Sequence, residues 1–328
     1  MNSIIGSGIL SFIAGGGGPP PASSVFTALA ISGTTGFGMY STDGGDTWTG
    51  ANASDTAVWS DICWSPDLEL FVAVAVAAGA GGFKLATSPD GITWTNRTTP
   101  AGGYRGVTWS PALGLFCAVG DSGTIQTSPD GTTWTARTPA SSVSFRDVAW
   151  SPSLGLFAAV STDGGSNQVQ TSPDGINWTN RATPTTDQPW NGIAWSPDLG
   201  LFAAVRSGGG GQGAMTSANG TSWTLRSTPV KAYQDIVWAD FLSLFVAVAN
   251  IGDGTDDLIM TSPDGTNWTA RTTPENNAWR RIACGEAASS LVCVSTGGTN
   301  RIMRSSNGTA WTSEAAPAAN TWFCVGAS

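Results

Sequence analysis

Thr261-Ser262-Pro263-Asp264-Gly265-Thr266-Asn267-Trp268-Thr269 is the stretch whose reading decides the fold. Asp-Gly between two apolar runs signals a tight hairpin, because the turn needs a positive φ that Gly adopts without a Cβ penalty. The Ser and Asp side chains can bond nearby backbone N–H groups and lock the turn. The Trp that follows brings a large ring to bury and an N–H that needs one partner. Six further copies end at Trp48, Trp94, Trp134, Trp178, Trp223 and Trp311, and successive gaps are 46, 40, 44, 45, 45 and 43 residues. A period in this range marks a repeat architecture.

A second motif alternates with the first: Ile-Ala-Trp-Ser-Pro-Asp-Leu-Gly-Leu-Phe-Ala-Ala-Val at 193–205. It recurs at 62–74, 107–119, 148–160 and 236–248, and in degraded form at 282–294. It reads as a strand, a tight turn and a second strand. A variable Gly-rich loop follows, then a strand into the Asp-Gly turn and a strand through Trp-Thr. Each period thus holds four short antiparallel strands, a to d. An aromatic opens every strand a: Trp59, Tyr104, Phe145, Trp190, Tyr233, Trp279 and Trp322. The last of these stands at the C-terminus, where strand a begins and the chain stops. The first repeat has the complementary gap, since it starts at strand b near Phe26. The C-terminal strand is therefore expected to complete the first blade, closing a ring and hiding the edges an open array would expose. The predicted fold is all-β, a seven-bladed propeller of four-stranded antiparallel blades over residues 25–328. All 16 Trp fall at repeat positions, so none needs a ligand to explain it.

Composition narrows the function. Among 328 residues, Lys and Arg number only 14 and the net charge is −9, which argues against a cationic track for nucleic acid. The absence of His removes His-based metal sites and His general bases. Cys63, Cys117, Cys284, Cys293 and Cys324 follow no zinc or CxxC spacing and read as small buried thiols; Cys284 and Cys293, flanking a hairpin, are the pair to check for a disulfide. No cofactor is expected.

Residues 1–24 differ from the rest. An apolar stretch carrying Ile4, Ile5, Ile9, Leu10, Phe12 and Ile13 precedes a Gly-then-Pro linker, Gly15 to Pro21. It lacks the Lys or Arg that opens a signal peptide, and is too short and Gly-broken to span a bilayer. The expectation is an anchor peptide held by another subunit.

The turn resembles the Asp-box, or BNR repeat, Ser-x-Asp-x-Gly-x-x-Trp. Ser41-Thr42-Asp43-Gly44-Gly45-Asp46-Thr47-Trp48 fits in full; four copies are one residue shorter, and two carry Asn219 and Asn307 in place of Asp. In that family the box is a folding element away from the active site, so the resemblance implies the propeller and says little of function. Sialidases of the family need an arginine triad, a Tyr nucleophile assisted by Glu, and an Asp acid. Here the Tyr are only Tyr40, Tyr104 and Tyr233. Arg97, Arg137, Arg181, Arg226 and Arg271 share one repeat position, and Arg105, Arg146 and Arg280 share another. Both sets read as blade-to-blade packing rather than one converging pocket, and an assembly-factor reading lacks the Arg-rich patch it would need. Among binding propellers with this box, the near-identical copies and the apolar N-terminal peptide look most like a bacteriophage structural protein. The resemblance implies a non-enzymatic virion appendage on tail, neck or capsid, made in the host cytoplasm without a signal peptide. Its implied partners are other virion proteins through residues 1–24, and a host-surface glycan or protein. The alternative is a glycoside hydrolase of sialidase-like type.

The a–b and c–d turns must lie on one face of the disc and repeat in every blade. The b–c and d–a loops lie on the other face and differ from blade to blade, which makes that face the place for recognition. Two features there stand out. The seven strand-a aromatics present either sugar-binding faces at the channel mouth or packing between blades. Asp253, Asp256 and Asp257 form either a weak Ca²⁺ candidate or a solvated acidic loop. No catalytic residue is assigned.

Overall fold

The run Leu70–Ala77 is apolar at nearly every position, so a strand built from it needs cover on both faces. The computed structural model describes residues 24–32, 37–51, 55–163, 165–186, 188–208, 210–250 and 255–328. It supplies that cover with seven four-stranded antiparallel sheets, each ordered a-b-c-d. Strand a of blades 1 to 7 is Thr321–Ala327, Val58–Ser65, Tyr104–Ser110, Phe145–Ser151, Trp190–Ser196, Ala232–Ala239 and Trp279–Gly285. Each strand a touches the strand a of the blades on either side, and these contacts run full circle around a central channel.

The alternation of side chains along strand b divides the core between neighbours. In blade 3, Phe116 and Ala118 share a core with Val72, Val74 and Leu85 of blade 2. Cys117 and Val119, one residue out of step, share another with Phe145, Val148 and Phe157 of blade 4. Within blades 2 to 6 a Trp of strand a meets the Phe of strand b, as Trp64 meets Phe71 with centroids 4.5 Å apart. The Trp after the c–d turn lies beyond the same Phe, Trp94 at 6.4 Å.

The Asp-Gly turn closes as its chemistry requires. Ser262 Oγ donates to Asp264 Oδ1 at 3.1 Å, and Asp264 Oδ1 accepts the N–H groups of Thr266 and Asn267 at 2.8 and 2.7 Å. The Asn267 and then the Thr266 N–H hold the Asp264 carboxyl down at about 2. Asn219 Oδ1 accepts from Thr221 and Ser222 in the same way at 2.9 Å, so an uncharged amide serves where the box lacks its Asp. Trp268 Nε1 donates to the Gly265 carbonyl at 3.2 Å. Gly265 sits at φ +69°, and a Cβ there would lie 2.6 Å from Leu201 Cδ2 of the preceding blade. Glycine is required twice over, by conformation and by blade spacing.

The ring closes through the C-terminus. Strand b of blade 1, Phe26–Ser32, pairs antiparallel with Thr321–Ala327 in the register Phe26↔Ala327 to Leu29↔Cys324. Val25 N donates to Ser328 Oγ at 2.9 Å. Ser24 is fully buried, and its Oγ accepts from Ala288 N of blade 7 at 3.2 Å. Ser24 is thus packed against the propeller. The anchor residues Ile4, Ile5, Ile9, Leu10, Phe12 and Ile13 lie outside the described residues. All five Cys are free: Ile282 faces Cys293 and Cys284 faces Leu291, so Cys284 and Cys293 are not cross-strand partners.

Candidate functional site

Strand a has a sheet neighbour on one side only. Its other edge faces the channel, where backbone N–H groups need partners from side chains. Three aspartates meet this need across blade boundaries. Asp61 Oδ2 accepts from Val107 N at 2.8 Å, Asp147 Oδ2 from Ile193 N at 2.9 Å, and Asp235 Oδ2 from Ile282 N at 3.0 Å. The blades between carry glycine at the same position. A Cβ on Gly106 would lie 2.8 Å from Asp147 Cα, and one on Gly192 would lie 2.9 Å from Asp235 Cα. The alternation of Asp and Gly is thus steric.

Arg281 takes this position in blade 7 and crosses the channel. Its Nη1 is 3.1 Å from Asp235 Oδ1 and 3.9 Å from Asp147 Oδ2, and its Nε is 4.0 Å from Asp61 Oδ1. Nε also donates to the Ser60 carbonyl at 3.2 Å and Nη2 to the Arg105 carbonyl at 3.1 Å. Burial pushes Asp147 up to about 8 and Asp61 to about 6, against the pull of Arg281; it raises Asp235 as well. Burial also works against the Arg281 charge, but Asp61, Asp235 and Asp147 more than offset it and raise its pKa. One cation thus faces three carboxylates, and Asp147 keeps its proton at neutral pH.

This crossbar divides the channel. On the face of the repeated turns lies a chamber of about 530 Å³, walled by Ile62, Val107, Val148, Ile193, Ile236 and Ile282 and floored by the crossbar. On the loop face lies a cavity of about 290 Å³ lined by Ser60, Arg105, Arg146, Asn191, Ser207, Gln234, Arg280, Arg281 and Phe323. The local cause is a β-bulge. Near its start strand a slips register, as at Tyr104/Gly106 and Phe145/Asp147, and leaves the residue between unpaired with strand b. A bulge re-aims its extra residue. Ser60, Arg105, Arg146, Asn191, Gln234, Arg280 and Phe323 are those residues, and all seven line the loop-face cavity.

The arginine expectations are corrected here. Arg105, Arg146 and Arg280 converge on one cavity instead of packing blades, because the bulge turns them into the channel. Arg97, Arg137, Arg181, Arg226 and Arg271 act within a blade: each Nε donates to a strand-c Thr, as Arg97 does to Thr87 Oγ1 at 2.9 Å. The aromatic expectation is corrected too. Trp59, Tyr104, Phe145, Trp190, Trp279 and Trp322 have no exposed surface and Tyr233 has 1%. They offer no face to a sugar and form packing between blades. Five of them also tie down the d–a loop through the carbonyl four residues back, as Tyr104 Oη donates to Pro100 O at 2.8 Å. Asp253 lies outside the described residues. Asp256 is bound through its backbone carbonyl by Thr273, and Asp257 Oδ1 accepts from Thr272 Oγ1 at 3.1 Å. Among the described residues no group of carboxylates or thiols has metal-holding geometry. No helix among them is long and apolar enough to cross a membrane.

No protein-family model and no curated protein matches the chain. Solved structures do. YCF48 bound to a D1 peptide is 19% identical over 80% of this chain and 82% of its own, with a TM-score of 0.58. A catalytically inactive virginiamycin B lyase from Staphylococcus aureus with quinupristin is 14% identical over 81% and 86%, at 0.67. A protein from Lactobacillus plantarum is 13% identical over 93% and 99%, at 0.68. At these identities the likeness establishes the architecture alone: the chain is a seven-bladed β-propeller.

Proposed function

We propose that this protein is a non-enzymatic binding protein of a bacteriophage particle, held to tail, neck or capsid through residues 1–24 and presenting its loop face to a host-surface glycan or protein. One observation carries the binding half. The face of the repeated turns is nearly the same in every blade, whereas the other face gathers non-repeated loops around a polar cavity lined by four arginines. Propellers of this shape include one bound to a peptide, which supports a binding role. The phage half rests on the resemblance of the Asp-box copies and on the apolar segment from Ile4 to Ile13.

The non-enzyme reading rests on chemistry. The hydroxyls of Tyr104 and Tyr233 donate to the carbonyls of Pro100 and Pro229, so neither is poised as a nucleophile. Burial raises the pKa values of the channel carboxylates, and each accepts a backbone N–H of the next blade, so their perturbation and their placement have a structural cause without catalysis. The lyase neighbour was made inactive by changing a histidine to alanine, and this chain has no histidine. Purified protein should turn over neither sialosides nor a panel of aryl glycosides. Turnover abolished by changing one Asp or Glu would replace this reading with the glycoside hydrolase. Deleting residues 1–21 should leave a folded propeller that no longer joins its particle; incorporation at full occupancy would remove the anchor.

A further inference from the structure

The loop-face cavity is out of keeping with the rest of the molecule. The chain carries a net charge of −9 and only 14 Lys and Arg, yet four of them line one cavity of about 290 Å³. Two are accounted for. Arg281 is held by the aspartates beneath it, and Arg105 forms a two-point ion pair with Asp121 at 2.9 and 3.0 Å. Arg146 and Arg280 are not. Among the described residues neither forms a salt bridge, and the Nε of each is buried without a hydrogen-bond partner. Arg280 is steered by Gln234, whose Oε1 accepts from Nη1 at 2.9 Å, and by the Phe323 ring, 5.1 Å from its guanidinium carbon. Burial lowers the pKa of both; Arg105 adds repulsion at Arg146, where Asp121 and Asp163 pull the other way without an ion-pair contact, and Arg281 adds repulsion at Arg280. A buried guanidinium N–H with no acceptor is a standing cost that a bound anion relieves.

We propose that this cavity is a subsite for a carboxylate-bearing sugar of a host-surface glycan, with Arg146 and Arg280 taking the carboxylate. The inference rests on the recognition role proposed above for the loop face. An arginine fork matches a carboxylate with two parallel hydrogen bonds. The rest of the wall suits a hydroxylated ring rather than a bare ion: the Asn191 amide, the Ser207 hydroxyl and the half-buried Phe323 ring stand beside the arginines. Asn191 Nδ2 already donates to the Tyr233 carbonyl at 2.8 Å, so the amide is fixed and its Oδ1 is left as an acceptor for a sugar hydroxyl. The volume sits at the lower limit of small-ligand sites, about 300 Å³, the scale of a terminal sugar residue. Two arginines without a direct ion pair in an acidic protein do not make a phosphate-backbone track.

The test is titration calorimetry of the full chain with galacturonate, glucuronate and mannuronate oligomers, their carboxyl-reduced neutral forms, and a short peptide with a free C-terminal carboxylate. At least one uronate oligomer should bind, with its neutral form at least tenfold weaker. Arg146→Gln and Arg280→Gln should each weaken the uronate at least tenfold while leaving Tm within a few degrees, and Arg146→Lys should recover part of the loss. The subsite is overturned if no uronate binds, if the neutral form binds equally, if the double variant binds undiminished, or if the peptide binds and the uronates do not. Attachment to host cells separates the two levels. A double variant that attaches like the parent leaves the recognition role standing and removes the subsite; a parent that does not attach removes the recognition role.

Discussion

Replacing Arg281 with Met takes the crossbar out of the channel while keeping much of its volume. In the native protein Asp147, pushed up to about 8, is already protonated at neutral pH. The carboxyls left to balance Arg281 are Asp61, raised to about 6, and Asp235, which burial also raises and whose Oδ1 is 3.1 Å from Nη1. Without the guanidinium these buried carboxylates take up protons rather than remain bare anions. Holding one Asp protonated against an unfolded-state pKa near 3.9 costs about 4 kcal/mol at pH 7 and about 1 kcal/mol at pH 4.5. Asp61 already bears most of that cost, since a rise to about 6 is worth roughly 3 kcal/mol. It adds about 1 kcal/mol, and Asp235 at most about 4. The sum, about 3–5 kcal/mol at pH 7, matches the usual cost of removing one partner of a buried pair. With about 2.1 cal/mol/K of unfolding entropy per residue over 328 residues, Tm should fall by about 4–7 °C at pH 7 and by about 1–2 °C at pH 4.5. The sign is set by proton binding: the folded variant holds more protons than the unfolded chain between about pH 4 and 8, so its stability falls as pH rises. Calorimetric scans of both proteins at the two pH values decide it. An equal loss at both would assign the effect to packing and to the lost bonds with the Ser60 and Arg105 carbonyls. No loss at pH 7 would mean that the aspartates do not depend on Arg281 at all.

The native protein should itself lose stability as pH rises from about 4 through about 8, because the folded pKa of Asp147 lies above its unfolded value. Asp147→Asn keeps an oxygen for the Ile193 N–H, so it should reduce that slope, to which Asp61 and Asp235 also contribute, raising Tm at pH 8 and leaving it unchanged near pH 4; a slope as steep as the parent's would remove Asp147 as a source. Gly192→Ala should cost about 1–3 kcal/mol in a urea melt, since its Cβ would meet the Asp235 backbone, whereas Gly297→Ala, with open space around it, should be nearly neutral. Deleting residues 321–328 removes strand a of blade 1 and should yield aggregates on size-exclusion chromatography. A monomer with an unchanged Tm would contradict closure through the C-terminus.

The architecture was legible in the chain because a repeat states its own period. The Asp-Gly turn, the Trp that follows it and the apolar strand b act locally or between immediate neighbours, so Gly265 and Phe116 carry the same instruction in blade after blade. Even closure could be read, since Trp322 begins a strand that Phe26 lacks. The channel was not legible, because its chemistry depends on registry among blades. Arg105, Arg146 and Arg280 share a repeat position, and nothing in that spacing says whether the position faces a neighbour or the axis. A one-residue bulge at the start of strand a decides it, turning these arginines inward and leaving Trp59 and its equivalents buried. Likewise, Asp61, Asp147 and Asp235 stand about two periods apart, and the crossbar comes into being only when the ring brings blades 2, 4 and 6 around Arg281 of blade 7. Local propensity and periodicity need only neighbours in the chain; a site assembled from seven inner strands needs the closed ring.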